Sequence, residues 1–551
     1  MFGLTSDWLP SLTFLLAVPM IGLFGLSFAS SGWADRHAGW YRASVTHLLL
    51  VQFLVSAVMT IGLGVGWVPI GSVLYWSPTT FLPEGLFSLS LRIDGTSLLM
   101  LTLVSFVGWV TGRFAFRYLD GEPHQGRYFR FVSWTIGAVC VMATSGNLLM
   151  LSIAWVATSL GLHQLLVHYQ DRAPARRAAR LKFVISRIGD VALFAGCGLL
   201  YRLFGTLELN ELFVLAMTPS GPSQIAIASV ESGEMGWVGF LFVLTAMTKS
   251  AQLPFHSWLP QTMETPTPVS ALMHAGVVNA GGYLLIRTSP LMMLAPEALQ
   301  LLAIVGAATA VFASLVMLTQ TNVKKSLAYS TVAQMGFMML QCGLGAFAAA
   351  MLHLLAHSLY KANAFLRTGS VLNDRRSMVG ATWKSLFDPD RSLVTGWATL
   401  SLGILIAASG YALSITVLGL NVSEKPGGFV LGYVLCLALS YWVANVIVNI
   451  GTWAAFGMAS LSAVTLSFVY VASFVVVDAM IADPLVKTPL LITNTWAITL
   501  IAFGFAFLFV IPVLIGRPPR WAAAFYVHAT HGFYVDAIEA RMLRRVFNLN
   551  S

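Results

Sequence analysis

Thr245-Ala-Met-Thr-Lys249-Ser-Ala-Gln-Leu-Pro254 sets a lysine near the middle of an apolar run and follows it, five residues on, with a proline. A charge at mid-membrane costs about 2.5–3.5 kcal/mol on insertion scales. A proline inside a helix frees backbone groups that then need other partners. His256 and Pro260 follow, so this span is expected to be a broken helix. Broken helices at membrane depth commonly mark ion pathways.

Outward from Lys249 the chain reads as one membrane domain. Of its 551 residues, 57% are apolar and 10% charged, against roughly 25% charged in an ordinary soluble domain. Fifteen apolar runs long enough to cross about 30 Å of hydrocarbon lie between residues 8 and 515, including 130–146, 235–258, 263–286, 325–345, 348–366 and 490–515. The first run, Leu12 to Ser30, lacks a basic leader and an Ala-x-Ala cleavage site, so it is expected to be a retained helix rather than a signal peptide. Fifteen spans put the termini on opposite sides. With the N-terminus outside, inner loops and tail hold 24 of the 31 basic residues, Lys182 among them beside Arg176, Arg177 and Arg180, and outer loops hold five, Arg92, Arg202, Arg287, Lys425 and Lys487. The predicted orientation is N-terminus periplasmic, C-terminus cytoplasmic, in a bacterial inner membrane. That bias accounts for the pI near 9.4 without a nucleic-acid ligand. Two lysines remain over, Lys249 and Lys361, both within apolar runs.

The four cysteines, Cys140, Cys197, Cys342 and Cys436, lie singly, which argues against a disulfide framework or a metal site in this chain. Gly62-x-Gly64-x-Gly66 lies in an apolar helix, not after a strand, so it reads as packing rather than a nucleotide fingerprint. Asn421-Val-Ser423 matches a glycosylation sequon by chance. In the tail, Val535, Ile538, Met542 and Val546 recur at helical spacing with Asp536, Glu539, Arg541 and Arg545 between them. This fits an amphipathic helix on the inner surface or against a partner, and equally an ordinary packed terminal helix.

Two groups of polar residues carry the chemistry. In the first, Arg187 and Asp190 are three apart on one helix face and can pair, either as part of a path or as a structural ion pair. Lys249 and His256 follow, and the next span opens with Glu264 and Pro266-Thr-Pro268 and carries His274. In the second, His353, His357 and Lys361 at i, i+4 and i+8 form one stripe roughly 12 Å long. Lys324 and Lys325 begin the preceding helix and fit either relays or surface anchors. His163 and His168 read first as helix-to-helix hydrogen-bond donors. Proton transfer needs groups whose two protonation states are close in energy. Histidine meets that condition unperturbed, and a lysine meets it when desolvated. Hard cations such as sodium prefer oxygen ligands, so these residue types favour protons, with Na+ left open.

Lys249-Ser-Ala-Gln-Leu-Pro254, Pro266-Thr-Pro-Val-Ser-Ala-Leu-Met-His274, Lys325-Ser-Leu-Ala-Tyr-Ser-Thr331, His353-Leu-Leu-Ala-His357-Ser-Leu-Tyr-Lys361 and Ser186-Arg-Ile-Gly-Asp190-Val191 together resemble the antiporter-like subunits of respiratory complex I. The likeness is strongest to the L-type subunit and the Mrp antiporters, over about residues 90 to 372. It implies two inverted five-helix repeats containing broken helices, so that with the spans and tail read above the expected fold is an all-α polytopic membrane helix bundle of about 15 transmembrane helices plus a C-terminal amphipathic helix. The expected division is 1–127 N-terminal helices, 128–290 first repeat, 291–452 a diverged second repeat, 453–516 C-terminal helices and 517–551 a cytoplasmic tail. The resemblance casts Lys249 as the central lysine of a first half-channel. His274, Lys324, Lys325, His353 and His357 become relays, and Lys361 a further charge on the polar axis.

The chain departs from the family at three places. The family sets a glutamate after the tryptophan of the fifth span, where Trp155 is followed here by Val156; Asp190 is the nearest carboxylate by type. It also places a lysine in the second repeat's broken helix, whereas residues 393–420 carry no ionisable group except Tyr411. The L-type subunit continues into a lateral helix and one more span, and this chain stops after a short tail. The shortened form resembles the membrane subunits of inorganic-carbon accumulation complexes. Their partner is a large peripheral zinc protein resembling β-carbonic anhydrases. The implied role is ion transport without chemistry or cofactor in this chain, zinc being expected in the partner. The runner-up is a subunit of a redox-driven pump or a multisubunit Na+/H+ antiporter. A self-contained enzyme would need a cofactor motif or a metal cluster, and the sequence offers none.

Overall fold

The computed structural model describes residues 6–78, 82–218, 221–369, 393–420, 427–450, 452–481, 499, 501–508, 521–535, 537–538 and 541. In a bilayer every backbone amide must be satisfied within the protein, and apolar runs of this length meet that demand as helices. The principal ones are α1 (Leu9–Ser27), α2 (Ala38–Gly64), α3 (Gly95–Tyr118), α4 (Gln125–Thr144), α5 (Leu148–Leu166), α6 (Ala173–Phe204), α7 (Glu234–Lys249), α8 (Thr267–Ala275), α9 (Ala280–Arg287), α10 (Pro296–Thr319), α11 (Val323–Gly343), α12 (Phe347–Leu366), α13 (Leu393–Val417), α14 (Gly427–Ile450) and α15 (Trp453–Ile481). Among the described residues, ten segments are long and apolar enough to cross a membrane; Gln224–Glu231 with α7, bent by 80°, makes an eleventh. Helices α4, α11 and α12 coincide with the expected spans at 130–146, 325–345 and 348–366 but are more polar. The last expected span, 490–515, falls mostly outside the described residues, as do Asn421, Asp536, Glu539, Met542, Arg545 and Val546. Ile21 and Phe14 on α1, Val58 and Ile61 on α2, and Leu461 and Val476 on α15 face outward. So much apolar surface turned outward suits lipid rather than water.

The chain divides into two compact units. The first comprises Met1–Leu299, His353–Arg367 and Met480–Lys487, the second Gln300–Leu352, Thr368–Ala479 and Thr488–Ser551.

In the first unit a two-stranded antiparallel sheet, β1 (Gly71–Trp76) and β2 (Leu89–Ile93), joins α2 to α3, with Gly71 opposite Ile93. This is a small exception to the all-α expectation, built by Val73, Leu74, Tyr75 and Trp76, residues that favour strands. Just beyond it Asp94 caps α3, its Oδ1 accepting from the Ser97 amide at 2.8 Å. The same carboxylate pairs with Arg92 at 2.5 Å and with buried Arg287 of α9 at 2.6 Å. Arg92 and Arg287, expected in outer loops, are thus both inside the packing. The glycine run at 62–66 divides its work. Gly62 packs on Val68, while Gly66 lies beyond the helix end at φ +76°.

In the second unit, Gly306 of α10 and Gly336 of α11 let the two backbones touch. A Cβ on Gly336 would meet the Ala310 amide nitrogen at 2.6 Å. Ala303, Ala307, Ala310, Leu340 and Leu344 form the core there with Ile501 and Phe505. Farther on, Val443 of α14 packs with Ala459 and Ala463 of α15.

Candidate ion path

The span expected at 235–258 stops as an α-helix at Lys249, and the next α-helix begins at Thr267, within the span expected at 263–286. The break runs through Ser250 to Gln261, and Leu253–Pro254 is cis. The two prolines cannot continue the ladder of amide bonds, so the chain turns while still inside the protein. Gln252 Nε2 donates to the freed Ser250 O at 2.7 Å, and Ser250 Oγ donates to Val278 O at 2.7 Å, tying the break to the chain just before α9. Lys249 therefore ends a helix, where carbonyls and the dipole favour a cation.

Lys249 is 4% exposed. Its Nζ lies 4.5 Å from the centre of the Trp155 ring and donates to Trp155 O at 3.4 Å. Trp155 Nε1 donates to Asp190 Oδ1 at 3.1 Å, and Asp190 Oδ2 pairs with Arg187 Nη2 at 2.5 Å. The expected Arg187–Asp190 pair forms, and Asp190 is the carboxylate that acts on Lys249. Val156, in the family's glutamate position, is half-buried on α5. Gly189 lets α6 approach α7 closely enough for Thr245 Oγ1 to donate to Gly189 O at 3.0 Å.

From the break the polar row continues within the first unit. His256 is buried in the turn itself. His274, on α8, is buried and stacks on Phe365 of α12 at 4.2 Å between ring centres. Its carbonyl contacts His357 Nε2 at 3.2 Å. His353 and His357 stack on α12 at 5.9 Å between ring centres. Lys361 closes the row, fully buried, 5.7 Å from the Tyr360 ring. Asn279 Nδ2 donates to Ser358 Oγ at 2.7 Å and ties the break's far side to α12.

Glu264 stands apart from this row: partly exposed, it pairs with Arg172 at 3.1 Å. Lys324 and Lys325 belong to the second unit, half-buried at the start of α11, where Asn322 caps the Lys325 amide at 3.1 Å. His168, beyond the end of α5, packs edge-on against Tyr128.

One expectation is corrected. Lys182, counted with the arginines of an inner loop, is a third buried lysine, 2% exposed. Helix α6 begins at Ala173, so Lys182 lies in its third turn. It falls on the buried stripe Ala175, Ala178, Ala179, Lys182, Ile185, Ser186, Gly189 and Asp190. That period was present in the sequence, masked by exposed Arg176, Arg177 and Arg180 between its members. Lys182 Nζ donates to Ser159 Oγ at 2.7 Å and Ser159 O at 2.9 Å. The four cysteines are free, and among the described residues no group of three or more His, Cys, Asp or Glu could hold a metal.

Buried lysines and histidines on both sides of a helix break are groups that can exchange protons inside an apolar protein. Comparison with known proteins agrees. Residues 145–427 match the family model described as NADH:quinone oxidoreductase/Mrp antiporter, transmembrane, and residues 84–129 that of the complex I chain 5 N-terminus. The chain is 37% identical over 506 residues to the "probable inorganic carbon transporter subunit DabB2" of Halothiobacillus neapolitanus, covering 90% of this chain and 86% of that one. The chain belongs to the NADH:quinone oxidoreductase/Mrp antiporter family, in its DabB branch. It is 35% identical over 365 residues to NADH-quinone oxidoreductase subunit L of Escherichia coli, covering 66% of this chain and 57% of that one. It shares its fold with a chain of the Mrp complex from Dietzia sp., at a TM-score of 0.64 and 23% identity over 97% of this chain and 60% of the other. This DabB-type chain is thus a polytopic, antiporter-like membrane subunit.

Proposed function

We propose that this chain conducts protons, or another small cation, as the membrane subunit of an energy-coupled inorganic carbon pump. Inward ion flow would drive one-way hydration of CO2 to bicarbonate in a separate peripheral subunit. That partner is a large zinc protein resembling β-carbonic anhydrases, of the DabA type. The observation that carries the conduction is the placement of Lys249, at a helix break, against Trp155 and the Asp190–Arg187 pair. The carbon assignment is supported by the 37% identity to an inorganic carbon transporter subunit. In this reading residues 128–290 and 291–452 are the two inverted repeats. His256, His274, His353, His357 and Lys361 carry the charge onward, and Lys324 and Lys325 serve the second repeat. Glu264 marks a rim of the first. The N-terminus is periplasmic and the C-terminus cytoplasmic, with the partner docked on the basic inner face.

Likeness to the complex I subunit supports one other reading, a subunit of a redox-driven pump or a multisubunit Na+/H+ antiporter. Purification of the tagged chain from gently solubilised native membranes separates the two. A single large zinc-containing protein co-purifying supports the carbon pump. Flavin, iron–sulfur or several small membrane subunits instead would overturn it.

A further inference from the structure

Lys182 is buried as deeply as Lys249. Burying an ammonium is costly unless it is paired or used. Its two protein acceptors, the Ser159 hydroxyl and carbonyl, are neutral, so no formal charge offsets it at contact. Ser159 stands one turn from Trp155 on α5, about 6 Å of helix rise, and Trp155 is the residue that Lys249 touches. On α6, Lys182 is two turns from Asp190, about 12 Å of rise. It follows directly on the exposed arginines that begin that helix. Lys182 therefore lies between the arginine-bearing end of α6 and Lys249, along one seam between α5 and α6.

The charge count sharpens this. Among the described residues Asp190 is the one carboxylate acting on both lysines, and Arg187 already pairs with it. With both lysines charged, the cluster would hold three cations against one anion inside an apolar protein. With one charged, the excess is a single positive charge. In low dielectric that difference is large.

We propose that Lys182 is the loading group of the half-channel, taking a proton at the arginine-bearing end of α6 and passing it along the seam to Lys249. One N–H bond is lost at Lys182 Nζ as one is gained at Lys249 Nζ, so the pair holds a single transferable proton and its total charge is constant. Asp190, shared between the two, keeps both sites usable where Val156 replaces the family's carboxylate. This rests on the conduction reading above.

The test uses the purified complex in liposomes carrying a pH-sensitive dye, with flux started by an imposed pH step. Lys182→Met and Lys182→Arg are compared with wild type and with Lys249→Ala, and assembly and melting temperature are followed in parallel. Arginine keeps the charge and the hydrogen bonds to Ser159 but does not give up its proton. The expected result is proton flux down tenfold or more in both Lys182 variants, with Lys182→Arg assembled and melting as wild type. Wild-type flux in Lys182→Arg would show that a fixed charge suffices and overturn the relay. Wild-type flux in Lys182→Met would remove any role for the residue. If wild type itself conducts no protons, or if Lys249→Ala conducts normally, the conduction reading fails instead.

Discussion

Gly189 of α6 lies so close to Thr248 of α7 that a Cβ on the glycine would overlap the threonine Oγ1. Thr248 is the neighbour of Lys249, so the glycine sets how near the lysine comes to the Asp190 helix. Gly189→Ala is expected to push the two helices apart. The cost is about 1–3 kcal/mol, the range for overpacking a fitted core, with a fall in ion flux because the Lys249–Trp155–Asp190 geometry opens. The next atoms are Thr248 Cβ at 3.3 Å and Thr245 O at 3.5 Å. Adding Thr248→Ala to Gly189→Ala should therefore restore most of the melting temperature and flux. A double variant no better than the single would show that the contact is not what matters.

Lys249→Ala is expected to abolish bicarbonate accumulation in cells while leaving the complex assembled, as judged by co-purification. The Arg187–Asp190 pair is left in place, so assembly is expected to survive the loss of the lysine. Lys361→Ala should behave alike if the row beyond the break is used. Normal accumulation in either variant would take that lysine out of the path.

The sequence disclosed the polar residues that stand out against apolar neighbours. Lys249 before Pro254 and the four-residue spacing of His353, His357 and Lys361 were readable because each breaks an apolar run in an interpretable place. Lys182 was not read, because four arginines precede it and its run looks like a loop. Only the helix start at Ala173 shows that it faces inward while Arg180 faces out. The partner of Arg287 was likewise hidden, since Asp94 lies far away along the chain and the pairing is purely tertiary. The short β1–β2 sheet escaped because the few strand-forming residues from Val73 to Trp76, next to Gly71 and Ser72 and between two apolar spans, carry little signal.

Asp94 joins β2, the start of α3 and the end of α9 through Arg92, Ser97 and Arg287. Burial pushes its carboxyl up, but Arg287, Arg92 and two Ser97 hydrogen bonds outweigh that and hold it well below the usual carboxylate range. A depressed carboxylate contributes stability that is present above its unfolded pKa, near 3.9, and is lost only as pH falls through the folded value. Acid between pH 7 and 5 should therefore leave this node intact. Asp94→Asn should cost about 3–5 kcal/mol, as expected when one partner of a buried ion pair is removed, read as a lower melting temperature in detergent. A change within 1 °C would mean that Tyr283 and the Ala143 carbonyl, the other acceptors of Arg287, suffice alone.

His168 responds to acid in a range where Asp94 does not. It lies beyond the end of α5, buried between Tyr128 and Tyr169. Burial pushes the imidazole down to about 4, helped by the nearby positive groups Arg127 and His124 and opposed by Asp35. The folded protein thus holds this ring neutral where the unfolded chain would protonate it. Because the unfolded state binds the extra proton, stability from this group is complete above about pH 6.5. It declines as pH falls toward 4 and levels below that, by roughly 3 kcal/mol at most. His168→Phe keeps a ring between the two tyrosines and removes the proton site. The variant should melt close to wild type at pH 7.5 and above it at pH 5, so that the difference in melting temperature grows with acid. Parallel pH profiles for the two proteins would place the acid sensitivity at a group other than His168.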